Sequence, residues 1–240
     1  MSIPKAIFCW SGGKDSAYCL HKVLEEKQFD VTYLLTTINQ DVKRISMHGI
    51  REELLDKQVE AIGIPILKVG LTKASNEAYE KQMALTLQKA KEEGIEHVIF
   101  GDIFLKDLRV YRENNLSKIG MKAVFPLWNT NTTDLINDFV AKGFETLLCC
   151  INDEFLNHNW LGRKIDNTFL EQLPKNVDAC GENGEYHTFC FAGPIFKKEV
   201  KFSTHELVYK PYMVKTTSDG SLPEDGFENG FWFIDLIPKN

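Results

Sequence analysis

The chain has 240 residues, of which 43% are hydrophobic and 26% charged, and its formal net charge is −6. This length allows one large or two modest domains with a real core, and the composition is that of a globular protein. The acidic balance excludes nonspecific coating of nucleic acid, and no apolar run is long enough for a transmembrane span.

The first 150 residues alternate between strand and helix patterns. Short apolar runs predict five strands, at Lys5–Trp10, Val31–Ile38, Ile64–Val69, His97–Phe100 and Thr146–Ile151. Apolar residues at helical spacing predict the intervening helices, which begin at Lys14, cover Arg51–Ile62, include Tyr79–Ala90 and cover Asp134–Ala141. This alternation is typical of a parallel sheet covered on both faces. We therefore predict a doubly wound α/β domain with a five-stranded parallel sheet over residues 1–151.

The pattern changes after residue 151. One short helix candidate, Asn167–Leu173, is followed by glycine-rich loops and four β-type runs, which are Tyr186–Phe191, Glu199–Phe202, Glu206–Tyr212 and Phe231–Ile237. These features predict a smaller C-terminal α+β domain over residues 152–240. No flexible linker separates the two halves, so we expect them to pack tightly.

A candidate phosphate loop follows the first predicted strand and opens the first helix. Its residues are Ser11, Gly12, Gly13, Lys14, Asp15 and Ser16. The glycines allow a sharp turn that brings backbone N–H groups to an anion, and the helix N-terminus adds partial positive charge. The Lys14 ammonium and the two serine hydroxyls can donate to phosphate oxygens. Phe8 and Asp15 stand where a Walker A loop needs glycine and Ser or Thr, so the loop is of another kind.

The loop resembles the signature of the PP-loop ATP pyrophosphatases, which have the adenine nucleotide α-hydrolase version of the doubly wound fold. This resemblance implies that ATP is cleaved between its α- and β-phosphates and that an adenylate forms. Several further segments resemble the diphthine–ammonia ligase family along nearly the whole chain, namely Met47–Arg51, Gly101–Ile103 with Arg109 and Arg112-Glu113, Pro126–Trp128, Trp160–Arg163 and Gly181–Thr188.

The resemblance implies roles for individual residues. ATP would contact the phosphate loop together with His48, Gly101 and Asp102, although a capping or core role for His48 is equally open. Mg²⁺ would be held by Asp15 and Asp102. The acceptor would contact Arg109, Glu182, Glu185, His187 and Thr188. Catalysis would rest on Lys14, Asp15, Glu182 and Glu185, where either glutamate could bind ammonium, accept its proton or orient the acceptor.

The function expected from the resemblance is amidation of a carboxylate that ATP has activated by adenylation. Free ammonia is the expected nitrogen source, and the acceptor would be diphthine on elongation factor 2 in a eukaryotic or archaeal member. A PP-loop ATPase with a different acceptor and a non-catalytic nucleotide sensor are the alternatives. The chain could also form a homodimer. Six cysteines without a C-x-x-C pair indicate reduced thiols rather than zinc, and the N-terminus lacks signal-peptide features, so we expect a cytoplasmic protein.

Overall fold

The computed structural model describes residues 3–45, 48–71, 76–211 and 229–239, with the backbone alone for 76–79. Met47 and Tyr212, which belong to segments named above, lie outside the described residues. Six α-helices are described, α1 (Lys14–Glu26), α2 (Glu52–Ile62), α3 (Asn76–Glu92), α4 (Lys106–Lys118), α5 (Thr132–Ala141) and α6 (Asn167–Gln172).

The first sheet contains five parallel strands and one short antiparallel strand. The strands are β1 (Lys5–Cys9), β2 (Asp30–Asn39), β3 (Arg44–Ile45), β4 (Ile66–Leu71), β5 (His97–Ile99) and β6 (Lys122–Val124). The parallel strands run in the order β4-β2-β1-β5-β6. Ile38 and Asn39 of β2 pair with β4 on one side of the strand. Strand β3 therefore pairs with the same two residues on the other side of β2, which is the side of β1, at a position beyond the carboxyl end of β1. The chain that follows β3 is thereby placed above the carboxyl end of β1.

The second sheet is antiparallel. It has four strands in the order β8-β7-β10-β9, which are β7 (Glu145–Asn152), β8 (Tyr186–Ala192), β9 (Phe202–Pro211) and β10 (Gly230–Pro238). The predicted strand Thr146–Ile151 therefore exists as β7 but was assigned to the wrong sheet. The fifth parallel strand is instead β6, which is only three residues long. Residues 145–152 belong to the second sheet, which favours a domain boundary before β7. The division at residue 151 stays a prediction.

The two sheets share one apolar core. A continuous cluster of buried side chains includes Phe8 and Trp10 from β1, Phe139 from α5 and Phe189 from β8. Trp10 also donates its indole N–H to Gln58 Oε1 of α2 at 3.2 Å, which satisfies a polar atom inside this core. The expected tight packing of the two halves is observed. None of the described helices has the length and apolarity needed to cross a bilayer.

Candidate active site

The phosphate loop turns sharply between β1 and α1. Gly12 has a φ of +82°, a conformation that strains other residues, and Gly13 is the N-cap of α1. A Cβ atom on Gly13 would lie 2.6 Å from His48 Cε1 and 3.1 Å from the Thr188 carbonyl oxygen. The loop backbone therefore approaches the β3–α2 connection and β8 so closely that a side chain at Gly13 would force His48 and the Thr188 carbonyl to shift.

Hydroxyl groups hold the loop in this shape. Ser11 Oγ accepts from the Gly13 N–H at 3.3 Å and donates to Ser16 Oγ at 3.0 Å, while Ser16 Oγ donates to the Gly13 carbonyl at 2.9 Å. Ser11 and Ser16 both line the adjoining cavity. An anion bound at the N-terminus of α1 would therefore lie next to the hydroxyl oxygens of both serines.

The Lys14 side chain is almost fully buried and connects the two halves of the chain. Its Nζ atom lies 2.8 and 2.7 Å from the two carboxylate oxygens of Asp15 and also donates to the Cys180 carbonyl. The Lys14 N–H donates to Thr188 Oγ1 at 3.0 Å. Burial disfavours the ammonium, but the combined attraction of nearby acidic groups, Asp15 first and Glu182 among the others, outweighs it, so the pKa of Lys14 is raised. The ammonium therefore stays charged at neutral pH.

Glu185 is fully buried and its carboxylate is occupied by donors from its own loop. Oε1 accepts from the Asp178 N–H at 2.9 Å and from Asn183 Nδ2 at 3.0 Å, and Oε2 accepts from the Asn183 N–H at 2.8 Å. Glu185 does not line the cavity. These contacts speak against its predicted catalytic and acceptor-binding roles, because a carboxylate closed off by three donors holds the loop together.

Glu182 differs from Glu185 although it belongs to the same loop. It lines the cavity and is half-buried beside the phosphate loop. Burial raises the pKa of Glu182 to about 7, and the Asp15 carboxylate adds to this while Lys14 opposes it. A carboxyl group poised near neutral pH can take up and release a proton during turnover.

Two neutral imidazoles stand beside the loop. The rings of His48 and His187 are 4.9 Å apart, and His48 Nδ1 lies 2.9 Å from the Thr188 carbonyl oxygen. A carbonyl only accepts, so Nδ1 carries the proton and Nε2 remains an acceptor. Burial lowers the pKa of both histidines, to about 3 for His187, where the nearby His48 contributes further. Both rings therefore add shape and hydrogen-bonding capacity at neutral pH but no charge.

Asp102 and the arginines of α4 are arranged differently from the prediction. Asp102 follows β5 and lines the cavity, where its Oδ2 lies 2.9 Å from Arg112 Nη1. Burial raises the pKa of Asp102, Arg112 opposes the rise and Asp15 adds to it. Arg109 instead pairs with Glu113 at 2.8 Å and lies over the Trp128 ring, outside the cavity lining. The predicted acceptor role of Arg109 has no support from these contacts.

Apart from Glu185 and Arg109, the predicted site side chains described above surround one large cavity of about 990 Å³. The phosphate loop and the Gly181–Thr188 loop form its polar wall, and α3 and α4 contribute apolar residues such as Met83 and Leu116. A cavity of this size and mixed lining is suited to a nucleotide. It therefore offers an anion-binding end and an apolar end in continuous space.

Comparison with known families identifies the chain. The protein-family model named "Diphthamide synthase N-terminal domain" matches residues 4–123. The family model named "Diphthamide synthase C-terminal domain" matches residues 131–216. The chain belongs to the diphthine–ammonia ligase family. This is a family of ATP-dependent ligases.

Individual relatives agree with this assignment. The chain is 27% identical over 223 residues to the diphthine–ammonia ligase of Rattus norvegicus and 26% identical over 221 residues to that of Homo sapiens, and each match covers 82% of both chains. A solved U34-tRNA thiolase from Methanococcus maripaludis is 19% identical with a TM-score of 0.36, and the match covers 59% of this chain and 57% of that one. That likeness is too low to bear on function.

Sequence reasoning missed cavity residues that carry no motif. Leu35, Thr36 and Thr37 lie at the carboxyl half of β2, and Phe100 follows β5. They line the cavity next to the phosphate loop. Doubly wound sheets bind ligands beyond the carboxyl ends of their strands, so the position along β2 was the available signal.

A second missed feature holds the loop that carries His48. Asp235 of β10 accepts from Arg44 Nη2 at 2.7 Å and from Arg51 Nε and Nη2 at 2.9 and 2.6 Å. These hydrogen bonds, led by those from Arg51, lower the pKa of Asp235 to about 2. Arg44 also donates to the Gly49 carbonyl at 2.7 Å. Strand β10 lies beyond residue 216, where the family match ends, and yet it positions the histidine loop.

Proposed function

We propose that this chain transfers AMP from ATP to a carboxylate and then amidates the adenylate with ammonia, releasing AMP and pyrophosphate. The main support is that one cavity joins the phosphate loop to Glu182. The Lys14 ammonium and the backbone of the loop would neutralise the departing pyrophosphate. The acceptor proposed is diphthine, after which the relatives are named, and its carrier in a eukaryote or archaeon would be elongation factor 2.

Within this proposal ATP occupies the cavity lengthwise. Its phosphates would contact Ser11, Lys14 and Ser16 at the N-terminus of α1, where donors and the helix dipole favour anions. Its adenosine part would extend along Thr36 and Phe100 towards the apolar end. The phosphates then point at the loop Gly181–Thr188, from which the acceptor and ammonia would approach.

Mg²⁺ would enter with ATP rather than occupy a site built from protein ligands. Among the residues that the structure describes, no three His, Cys, Asp or Glu side chains are grouped to hold a metal ion. Mg²⁺ commonly uses one or two carboxylates together with substrate phosphates and water, which the donors present here can satisfy. Asp15 and Asp102 both line the cavity and each is paired with a cation, Asp15 with Lys14 and Asp102 with Arg112, but the Asp15 side chain keeps 27% of its surface exposed against 14% for Asp102. We therefore assign the protein's contribution to Asp15 first. The ion would neutralise phosphate charge.

For the ammonia step we propose Glu182 as the group that binds ammonium and accepts its proton. Glu182 is the glutamate of its loop that faces the cavity, and its carboxyl group titrates near neutral pH. Loss of the proton gives the lone pair with which ammonia attacks the acyl adenylate. The carbonyl carbon then forms a bond to nitrogen, and AMP leaves with the electrons of the broken C–O bond and with the second proton that the nitrogen loses.

The test is to incubate the protein with ATP, Mg²⁺ and ammonium, adding elongation factor 2 that carries diphthine or a panel of small carboxylates. We expect AMP and pyrophosphate in equal amounts, together with one amide per AMP. ADP with orthophosphate as products would contradict the adenylation chemistry. AMP formation with a carboxylate other than diphthine would retain the chemistry and replace the acceptor.

A further inference from the structure

The outermost strand of the second sheet is long and exposed. Among the described strands, β9 pairs with β10 alone. Its residues 204–211 are all exposed, and Leu207, Val208 and Tyr209 keep 41%, 38% and 38% of their surface accessible. An edge strand presents unpaired N–H and C=O groups that another strand can join, and exposed apolar residues favour such pairing. The surface of interest is thus the outer edge of Glu206–Lys210.

The sequence of this edge is complementary to itself. Val208 is flanked by two apolar residues, Leu207 and Tyr209. Beyond them stand two residues of opposite charge, the acidic Glu206 and the basic Lys210. From this pattern we propose that two copies of the chain form a dimer in which their β9 strands pair antiparallel around a twofold axis at Val208. The proposal depends on the fold and not on the chemistry of the active site.

The symmetry of such a dimer restricts its register. A twofold axis perpendicular to a continuous sheet keeps each side chain on its own face. Residues opposite each other must share a face, so the axis has to pass through a residue rather than between two. An axis at Val208 places Glu206 opposite the partner subunit's Lys210 and Leu207 opposite the partner subunit's Tyr209, and the symmetry repeats both pairs.

Other registers lose this complementarity. An axis at Leu207 would place Glu206 opposite the partner's Val208 and Lys210 opposite the partner's Thr204, so that neither charge meets its opposite. Cross-strand pairs of opposite charge or of apolar residues stabilise an antiparallel sheet, and like charges directly opposite each other destabilise it. Main-chain hydrogen bonds would therefore hold the strands together, and the side chains would select the register.

The contacts of β9 with β10 support a preorganised edge. Lys210 Nζ lies 4.9 Å from the centre of the Phe233 ring on one face, and the Tyr209 and Trp232 rings are 5.0 Å apart on the other. These contacts restrict both side chains before association. Pairing would create an eight-stranded sheet with β8 at both outer edges. His187 and Thr188 lie on β8, at the edge of the sheet opposite the proposed pairing edge.

Charge reversal gives a decisive test with full-length protein. Sedimentation equilibrium should show that the unmodified chain is a dimer and that E206K and K210E are each shifted strongly towards monomer. E206K alone would put lysine opposite lysine, and K210E alone would put glutamate opposite glutamate. An equimolar mixture of the two variants restores both opposite-charge pairs, so it should dimerise again. A monomeric unmodified chain, or a mixture that stays monomeric, would overturn the proposal.

The register has its own measurement. Residues directly opposite in an antiparallel pair have Cα atoms about 4.5–5.5 Å apart, which suits a disulfide. V208C should therefore cross-link to its own copy under mild oxidation. L207C is the matched control, since it faces the partner's Tyr209 and should cross-link far less. The unmodified chain, whose six cysteines are free and mostly buried, is treated in parallel. Efficient cross-linking of L207C with none of V208C would overturn the register.

Discussion

Two loops form the polar wall of the cavity, and they are organised in different ways. In the phosphate loop, the neighbouring residues Lys14, Asp15 and Ser16 all line the cavity, because a strand, a turn and a helix follow each other directly. In the loop Gly181–Thr188, Glu182 lines the cavity while Glu185 is buried as a structural acceptor. Two residues of the same type, three positions apart, therefore have opposite environments. Burial and nearby donors set these environments, and residue type does not.

The largest effect is expected at the phosphate loop. Lys14→Ala should lower turnover by about 10²–10³-fold, or about 2.7–4 kcal/mol in the barrier, because it removes the charge that opposes the departing pyrophosphate. Steady-state pyrophosphate release measures the effect. Lys5→Ala, an exposed lysine at the other end of β1, is the matched control. Near-normal turnover in a folded Lys14→Ala variant would contradict the proposed role.

Glu182→Gln should reduce amide formation on the order of 10²-fold while leaving ATP affinity nearly unchanged, because glutamine cannot accept a proton. Affinity is measured by calorimetry with a nonhydrolysable ATP analogue. At a fixed total ammonium concentration, the rate of the unmodified enzyme should rise more steeply through pH 7 than the rate of the variant. A loss of ATP affinity in the folded variant would place Glu182 in the nucleotide site instead.

The same substitution has a predicted effect on stability. The pKa of Glu182 rises from 4.5 to about 7 on folding, so the protein releases a proton when it unfolds between these pH values. Stability of the ligand-free protein should therefore fall as pH rises through this range. Glu182→Gln should remove that component of the pH dependence. Urea titrations at several pH values compare the two proteins, and parallel pH profiles would refute the assignment.

Glu185→Gln should act on folding first. The amide cannot accept from all three donors, so at least one of these part-buried N–H groups loses its partner, at a cost of about 1 kcal/mol or more. Urea unfolding measures this loss, and Glu171→Gln, at an exposed helical position, is the control. A variant of unchanged stability that has lost amide formation would restore the catalytic role predicted from sequence.

The smallest effect separates the two arginines of α4. Arg112→Ala removes the partner of Asp102 in the cavity and should raise the KM for ATP a few-fold, in keeping with a partly exposed ion pair worth about 1 kcal/mol or less. Arg109→Ala should leave that KM unchanged, because Arg109 lies outside the cavity lining. An equal effect of both substitutions would remove the distinction drawn from their positions.

Most of the helices and the longer strands follow from apolar periodicity, but helix α4 and the short strands β3 and β6 do not. Helix α4 reads KDLRVYRENNLSK, and just one of its residues, Leu116, is buried. Strand β6 has three residues, too few for a period to be visible. Strand β7 was recognised but misassigned, because its six consecutive buried residues have the same pattern in a parallel or an antiparallel sheet.

By itself, the sequence determined the phosphate loop, the general architecture and the family resemblance, because each depends on residues that are close together along the chain. The tertiary structure alone decided which glutamate meets the cavity, which arginine approaches Asp102, and how Asp235 reaches Arg51 across 184 positions. Those outcomes depend on burial and on donors supplied by distant segments. Local sequence patterns specify neither the burial nor the distant donors, because a side chain acquires its environment only when the two sheets pack together.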